Sequence, residues 1–421
     1  MIRFYNGSVI RFDGGAHITK DEVHVEGGSI VYVGPEKRDG SRFEREINLN
    51  GNILMPGFKN GHTHTPMTFL RSLADDLPLD RWLRESIWPN EAKLTDEAVY
   101  NFTKLGILEY VSGGTTAVFD MYNHTDYYAQ ACIDSGFRTV ICGAMNDFDR
   151  DPTQIERDYL KWRSSGLVGY ILGIHAEYTT GIERLNYMVS LAEKYKSPCW
   201  THMAETKKET DDCRLRTGMS PVKYLDSLGF FKYGGGGYHC VWFDDEDIGI
   251  FAKKGLGVVT NPSSNLKLAS GVAPVKKMLD AGIKISIGTD SAASNNALDM
   301  FREMYLTLAL QSWTECDPIA VKAEDVLKMA CVNGAECMGL YDCNDIAEGK
   351  KADLVVLDMS RPSMQPANNP VRNTVYAGSR DIVKMTMVNG KILYEDGEFY
   401  IGEDPAEIYS KSEDFMKRVI Y

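Results

Sequence analysis

The chain has 421 residues, of which 43% are hydrophobic and 25% charged, with a formal net charge of −13. This length exceeds what one growing core supports and predicts a large domain with a smaller companion. The acidic excess offers nothing to a phosphate backbone or an anionic membrane, so neither is an expected partner.

The opening stretch, MIRFYNGSVIRFDGG, carries no apolar h-region and no small-residue cleavage site, which predicts no secretory signal. No segment approaches the roughly 18 apolar residues that a membrane helix needs. Nine cysteines, an odd count with no C-x-x-C pair, fit buried reduced thiols in a cytoplasmic protein. Any metal is therefore expected on histidine and carboxylate.

Near the N-terminus, EVHVEGGSIVYVG (Glu22 to Gly34) alternates polar and apolar residues around Gly27-Gly28, a β-hairpin pattern. The middle of the chain then alternates strands and helices. Candidate strands are GFKNGHTH, GTTAVFD, RTVIC, GYILGIH, PCWTH, YHCVW, GVVTNP and IKISIGTD. Helical stretches such as TDEAVYNFTKLGILEYVSG and GIERLNYMVSLAEKYK separate most of them. Eight such strands predict a parallel sheet covered on both faces, and eight is the number that closes a (β/α)8 TIM barrel. A doubly wound open sheet is the competing arrangement.

Further on, KADLVVLDM adds a strand, and VKMTMVNGKILYEDG places Asn389-Gly390 between two alternating runs. Both residues tolerate the positive φ of a type I′ turn, so a second hairpin is expected. The tail DPAEIYSKSEDFMKRVI reads as a helix with Asp404 at its cap and Pro405 at its first position. Ile408, Phe415 and Val419 would share its docking face. Residues 1–56 with 347–421 are read as a β-sandwich domain formed from both termini plus the C-terminal helix. Residues 57–346 are read as the barrel.

Only eight histidines occur, yet His62 and His64 stand one residue apart in GHTHTPM. On an extended segment both imidazoles point to one side and can share a metal ion. Taken alone, the pair is equally compatible with an exposed turn. The other reactive residues fall in the same kind of place: His175 ends the fourth strand, His202 the fifth, His239 lies within the sixth and Asp290 closes the eighth. Barrel active sites are built at the C-terminal ends of the strands. Three neutral imidazoles and one carboxylate suit a catalytic divalent site with an open position, so His62, His64, His202 and Asp290 are the expected metal ligands. No lysine stands at a strand end, so one metal is expected. A water on such a metal has its pKa lowered to about 7. Zinc is the expected ion, although histidine and aspartate also suit Fe2+ and Mn2+.

In THMAET, Glu205 follows His202 by three residues and can serve as a general acid/base. His239 is expected to lie too far along to be needed as a ligand; it would instead help Asp290 to take a proton from the water.

These residues resemble the amidohydrolase superfamily, in which H-x-H and later His, His and Asp follow this order on a (β/α)8 barrel. Three stretches, HTHTPMTFLRSLADDLPLDRWLRESIWPNEAKLT, GTDSAASNNALDMFREM and SNLKLASG, look like its methylthioadenosine/S-adenosylhomocysteine deaminase branch, close to the chlorohydrolase-type deaminases. The resemblance implies a hydrolytic deaminase of adenine nucleosides, with His62, His64, His202 and Asp290 as metal ligands. Asp290 would also take the water's proton, and Glu205 would protonate the ring nitrogen and then the departing amine. His239 would stand beside the water, and His175 would contact the base. Glu91 would grip the two ribose hydroxyls, a role that suits a carboxylate facing a vicinal diol.

One departure concerns the substrate. Relatives that accept S-adenosylhomocysteine are expected to hold its carboxylate with arginines after the third strand. Here ICGAMND has none, and Arg150 and Arg157 follow without a clear counterpart. The expected substrates are therefore methylthioadenosine, 5′-deoxyadenosine or adenosine ahead of S-adenosylhomocysteine. The rivals are the same site acting on guanine, another aminopurine or a triazine, and an inactive structural relative. A homo-oligomer is expected, since barrels of this type often pair.

Overall fold

A computed structural model describes residues 1–37, 40, 42–73, 75–77 and 81–421. Residues 74 and 78–80 of the long histidine-containing motif lie outside the described residues. Eight strands form one parallel sheet in chain order: β1 (Phe58–Thr63), β2 (Thr115–Met121), β3 (Arg138–Cys142), β4 (Val168–Ala176), β5 (Cys199–Met203), β6 (Gly235–His239), β7 (Gly257–Thr260) and β8 (Lys284–Ile287). The order and the intervening helices are those of a TIM-like barrel, as expected, and not of a doubly wound sheet.

The ladder is continuous from β1 to β8, and side chains complete the seam between those two strands. Thr289 N donates to Asn60 Oδ1 at 2.9 Å, and Asn60 Nδ2 donates to Thr289 Oγ1 at 2.7 Å. Just beyond, Asp290 N donates to the His62 carbonyl at 2.9 Å. Gly288 makes this approach possible, because a Cβ there would lie 2.7 Å from His62 N.

The barrel interior is filled by Ala117, Phe119, Met121, Val140, Cys142, Trp200, Tyr238 and Val259. These inward residues alternate along their strands, so the barrel is packed and closed below the site. Trp200 sets a local constraint: a Cβ on Gly236 would stand 2.6 Å from its ring. Gly236 on β6 is what admits the indole.

Two sheets flank the barrel. One has four strands (Ser29–Gly34, Glu22–Glu26, Ile2–Tyr5 and Arg45–Asn48); the other has seven and joins strands from both ends of the chain, with Leu354–Leu357 beside Ile53–Pro56. Phe4, Val23 and Val25 of the first share an apolar cluster with Leu54, Leu354, Val356 and Met387 of the second. Both expected hairpins form, and Asn389 and Gly390 adopt φ of 49° and 77°.

Among the helices, α1 (Asp96–Ser112) is capped by Thr95, whose hydroxyl accepts from Ala98 N. A short helix α2 (Pro262–Lys267) follows β7, and α3 (Met300–Thr314) follows β8. The C-terminal helix α4 (Pro405–Phe415) has the expected Asp404 cap and docks on α1, where Asn101 Nδ2 donates to Ser412 Oγ at 2.7 Å. Ile408 is buried and Phe415 packs against Phe102, but Val419 is exposed. From Met416 the coil widens into a π-type turn, which rotates Val419 off the docking face and brings Met416 and Ile420 onto it.

All nine cysteines are unpaired and eight are buried; Cys316 is exposed, contrary to the expectation of burial throughout. Among the described residues, no helix is long and apolar enough to cross a membrane.

Candidate active site

The strand ends bring the predicted residues together. The His62 and His64 ring centroids are 4.8 Å apart, as are those of His62 and His202, and His64 stacks on His202 at 5.3 Å. Asp290 Oδ1 lies 3.7 Å from His62 Nε2 and 3.5 Å from His64 Nε2. His62, His64 and Asp290 thus form one potential cation-binding set, and His62, His202 and His239 form another that shares His62.

The hydrogen bonds of these groups suit metal donors. His64 Nδ1 is 2.5 Å from the Met121 carbonyl, and His202 Nδ1 is 2.7 Å from the His175 carbonyl. Donation through Nδ1–H to a carbonyl fixes the tautomer and leaves Nε2 with its lone pair, the usual outer-shell arrangement of a metal-bound histidine. His62 is fully buried against the Tyr238 ring, at 3.9 Å, and among the described residues neither of its nitrogens has a hydrogen-bond partner. Buried polar atoms without partners are rare and costly, and a cation supplies the missing partner. Burial, reinforced by the neighbouring imidazoles, holds His62 and His202 well below the usual imidazole pKa and keeps both neutral. The donor set therefore fits one divalent metal.

β6 ends at His239 instead of running on through it, and Asp290 stands three residues past β8. Both adopt the left-handed region, with φ of 69° and 58°. Such backbone in a non-glycine residue costs energy and tends to cluster at functional sites. The His239 ring centroid lies 5.6 Å from that of His62 and 5.4 Å from that of His202. It is closer to His62 and His202 than the sequence suggested, because β6 ends at His239 and so places the ring at the C-terminal mouth of the barrel.

Glu205 is buried beside this group, with Oε1 4.0 Å from His239 Nδ1. Burial raises its pKa, and the charge of Asp290 adds to the effect against the pull of His239. Its backbone is held by Glu209, which accepts from Ala204 N and Glu205 N, both at 2.8 Å. For His239, burial favours the neutral ring, but the charges of Glu205 and Asp290 outweigh it and raise the pKa. His175 Nδ1 pairs with Thr179 Oγ1 at 3.0 Å, and burial lowers its pKa to about 4, so the ring is neutral near pH 7.

A cavity of about 490 Å³ opens over these groups, and Glu91 lies in its wall. Glu91 ends the short helix Trp88–Glu91 and accepts from Tyr122 Oη at 2.9 Å. Burial pushes its carboxyl up to about 7 against the pull of that hydroxyl. Trp82, Ile87, Trp88 and Phe148 give the cavity an apolar side. Among the described residues, no lysine or arginine lines it. Arg150 lines an adjoining cavity, and Arg157 is exposed and paired with Asp151 at 2.6 Å. Every predicted site residue thus reaches one cavity or its floor. Sequence reasoning missed Tyr122, Ser264 and Asn265, although the last two open the SNLKLASG motif.

Three imidazoles and a carboxylate gathered at the C-terminal mouth of a (β/α)8 barrel define the class of metal-dependent barrel hydrolases. Residues 53–393 match the model of the amidohydrolase family, and the chain belongs to that family. It is similar to a 5-methylthioadenosine/S-adenosylhomocysteine deaminase from Dictyoglomus thermophilum, with 42% identity over 369 residues, 86% of this chain and 87% of the relative. It is also similar to a 5′-deoxyadenosine deaminase from Methanothermobacter thermautotrophicus, with 39% identity over 396 residues and 92% of each chain. Among solved structures, an adenosine deaminase from Xanthomonas campestris with bound zinc superimposes with a TM-score of 0.94 at 32% identity, covering 100% of this chain and 98% of that one.

Proposed function

We propose that this chain is a hydrolytic deaminase of adenine nucleosides that uses one zinc ion and prefers substrates with an uncharged 5′ group. The observation that carries this reading is one cavity lined by His64, His202, Asp290 and the acceptor carboxylate of Glu91, with the buried His62 shared by both cation-binding triads. A divalent metal held by that set would supply the Lewis acidity that lowers the pKa of water. The names of the relatives support adenine nucleosides over other rings.

The chain's own residues then divide the work. Glu91 accepts from the two ribose hydroxyls, a contact that a free base or a triazine cannot offer. The neutral His175 contacts the purine. Glu205, whose pKa burial raises, donates to N1 and makes C6 electrophilic. His239 and Asp290 take a proton from the water whose oxygen adds to C6. A proton relayed by Glu205 reaches the exocyclic amine, the C6–N bond breaks, and ammonia and the inosine product leave.

The 5′ preference rests on charge. Glu91 and Asp149 line the cavity without a lysine or arginine among the described residues, so a 5′ carboxylate would find no cation there and would meet repulsion. The apolar side formed by Trp88 and Phe148 suits a methylthio or methyl group.

The test is loss of the adenine absorbance band with metal-loaded protein and a panel of adenosine, methylthioadenosine, 5′-deoxyadenosine, S-adenosylhomocysteine and guanine. Turnover of the nucleosides with uncharged 5′ groups ahead of S-adenosylhomocysteine is expected. Turnover of guanine alone would refute the nucleoside reading.

A further inference from the structure

The loop after β7 sends two adjacent side chains to two different groups of the site. Ser264 Oγ donates to Asp290 Oδ2 at 2.5 Å. Asn265 Oδ1 lies 2.8 Å from His239 Nδ1. Both residues sit on α2, both are buried, and neither touches the cavity itself. Asp290 and His239 come from different strands and have no direct bond to each other among the described residues. We propose that Ser264 and Asn265 are positioning residues, a two-pronged clamp that fixes Asp290 and His239 relative to one another.

The geometry on each prong is specific. The Ser264 hydroxyl, with Ser294 Oγ at 2.8 Å, occupies Asp290 Oδ2, while Oδ1 remains directed at His62 and His64 Nε2. The Asn265 carbonyl oxygen can only accept, so it selects the His239 tautomer with hydrogen on Nδ1. The lone pair then resides on Nε2, the nitrogen free to take a proton.

The clamp is itself anchored. The buried Glu303 on α3 accepts from Ser263 N at 3.0 Å and from Asn295 Nδ2 at 2.8 Å, and Asn295 also donates to the Thr289 carbonyl at 2.6 Å. One carboxylate therefore ties the β7 loop, which carries the clamp, to the β8 loop, which carries Asp290. A rigid helix turn with both prongs in consecutive residues holds the separation of the two groups more tightly than two independent loops would.

The inference rests on the roles proposed above for Asp290 and His239, and its test separates the two. Asn265→Leu keeps the side chain's size but has no acceptor, Asn265→Asp keeps an acceptor oxygen toward His239, and Ser264→Ala removes one donor. All three are purified with zinc, melted thermally, titrated with a chelator and assayed with the best nucleoside. Outer-shell losses of this kind typically amount to about 10- to 100-fold. Asn265→Leu should lose that much in kcat with KM and zinc affinity unchanged, and Asn265→Asp should recover most of it. Ser264→Ala should instead weaken zinc retention by about 10- to 100-fold.

An Asn265→Leu variant as active as the wild type, or an Asn265→Asp variant as poor as Asn265→Leu, would overturn the tautomer prong. Unchanged zinc affinity in Ser264→Ala would overturn the other. An inactive wild-type protein would refute the deaminase reading while leaving the zinc measurement on Ser264→Ala as a valid test of the clamp.

Discussion

Glu91 gives the sharpest pH test of the substrate reading. Its carboxyl sits in the cavity wall, bonded to Tyr122 Oη at 2.9 Å, and burial raises its pKa to about 7. Only the ionised form offers both oxygens of the carboxylate as charge-assisted acceptors to a vicinal diol. A raised carboxyl pKa means that this form is present above about 7 and is lost as pH falls through it. Between pH 8 and pH 6 the ionised fraction should fall from about nine-tenths to about one-tenth, roughly tenfold. Other groups titrate in the same window, so the quantity to measure is a ratio. It compares kcat/KM for a ribonucleoside with that for its 2′,3′-dideoxy counterpart. Titrations shared by both substrates cancel, and only the diol contact remains.

The ratio should rise about tenfold from pH 6 to pH 8 in the wild type and stay flat in Glu91→Gln. At pH 8 the variant should also lose the charge assistance of its hydrogen bonds, about 1.5–3 kcal/mol, seen as a KM raised about 10- to 150-fold. A wild-type ratio independent of pH would refute the reasoning, because no group that ionises between pH 6 and pH 8 would then be holding the ribose diol.

Other expectations follow from the same geometry. Glu205→Gln keeps the size of the side chain but removes the acid, so kcat should drop by about 10²–10⁴ with the thermal midpoint little changed; near-normal turnover would rule out the proton-transfer role. Stripping the protein with a chelator should abolish turnover and lower Tm, since a ligand that binds only the folded state stabilises it, and added zinc should restore both. Activity indifferent to chelation would exclude the metal. Arg138 on β3 forms a buried ion pair with Asp353, at 2.6 Å through Nε and 3.0 Å through Nη2. Arg138→Met strands that carboxylate and should cost about 3–5 kcal/mol in urea unfolding, whereas adding Asp353→Leu should recover much of the loss.

What the sequence could reveal follows from which forces act locally. The barrel was legible because strands buried on both faces read as apolar runs, and because α1 carries its own cap at Thr95. The His62–His64 pair was legible because a strand has a period of two. By contrast, β6 has the sequence GGGYH, whose composition reads as loop. Its glycines make room for Cys199, Trp200 and Met203 of the neighbouring strand, contacts between distant residues that no local pattern carries. The sixth strand was therefore placed too far along the chain, and His239 with it. The π-type turn after Phe415 escaped notice for a similar reason, since the apolar spacing was projected on a uniform helix.

The site's backbone was hidden more deeply, and the reason bears on how it works. Ala204, His239, Cys240 and Asp290 all take positive φ, between 47° and 69°, and none is glycine. Each such residue costs about 1–3 kcal/mol unless its surroundings hold it. Those surroundings are specific: Glu209 accepts from Ala204 N, Cys240 N donates to the Met203 carbonyl at 3.0 Å, and Asp290 N donates to the His62 carbonyl at 2.9 Å. A glycine at any of these positions would ease the turn, but at His239 and Asp290 it would remove the side chain to which we assign proton transfer. The chain thus keeps residues of the proposed site where conformation alone favours glycine, and tertiary hydrogen bonds offset the strain. A reader of sequence sees an ordinary histidine and aspartate there; the strain that aims them exists only once the barrel brings β1 beside β8 and β5 beside β6.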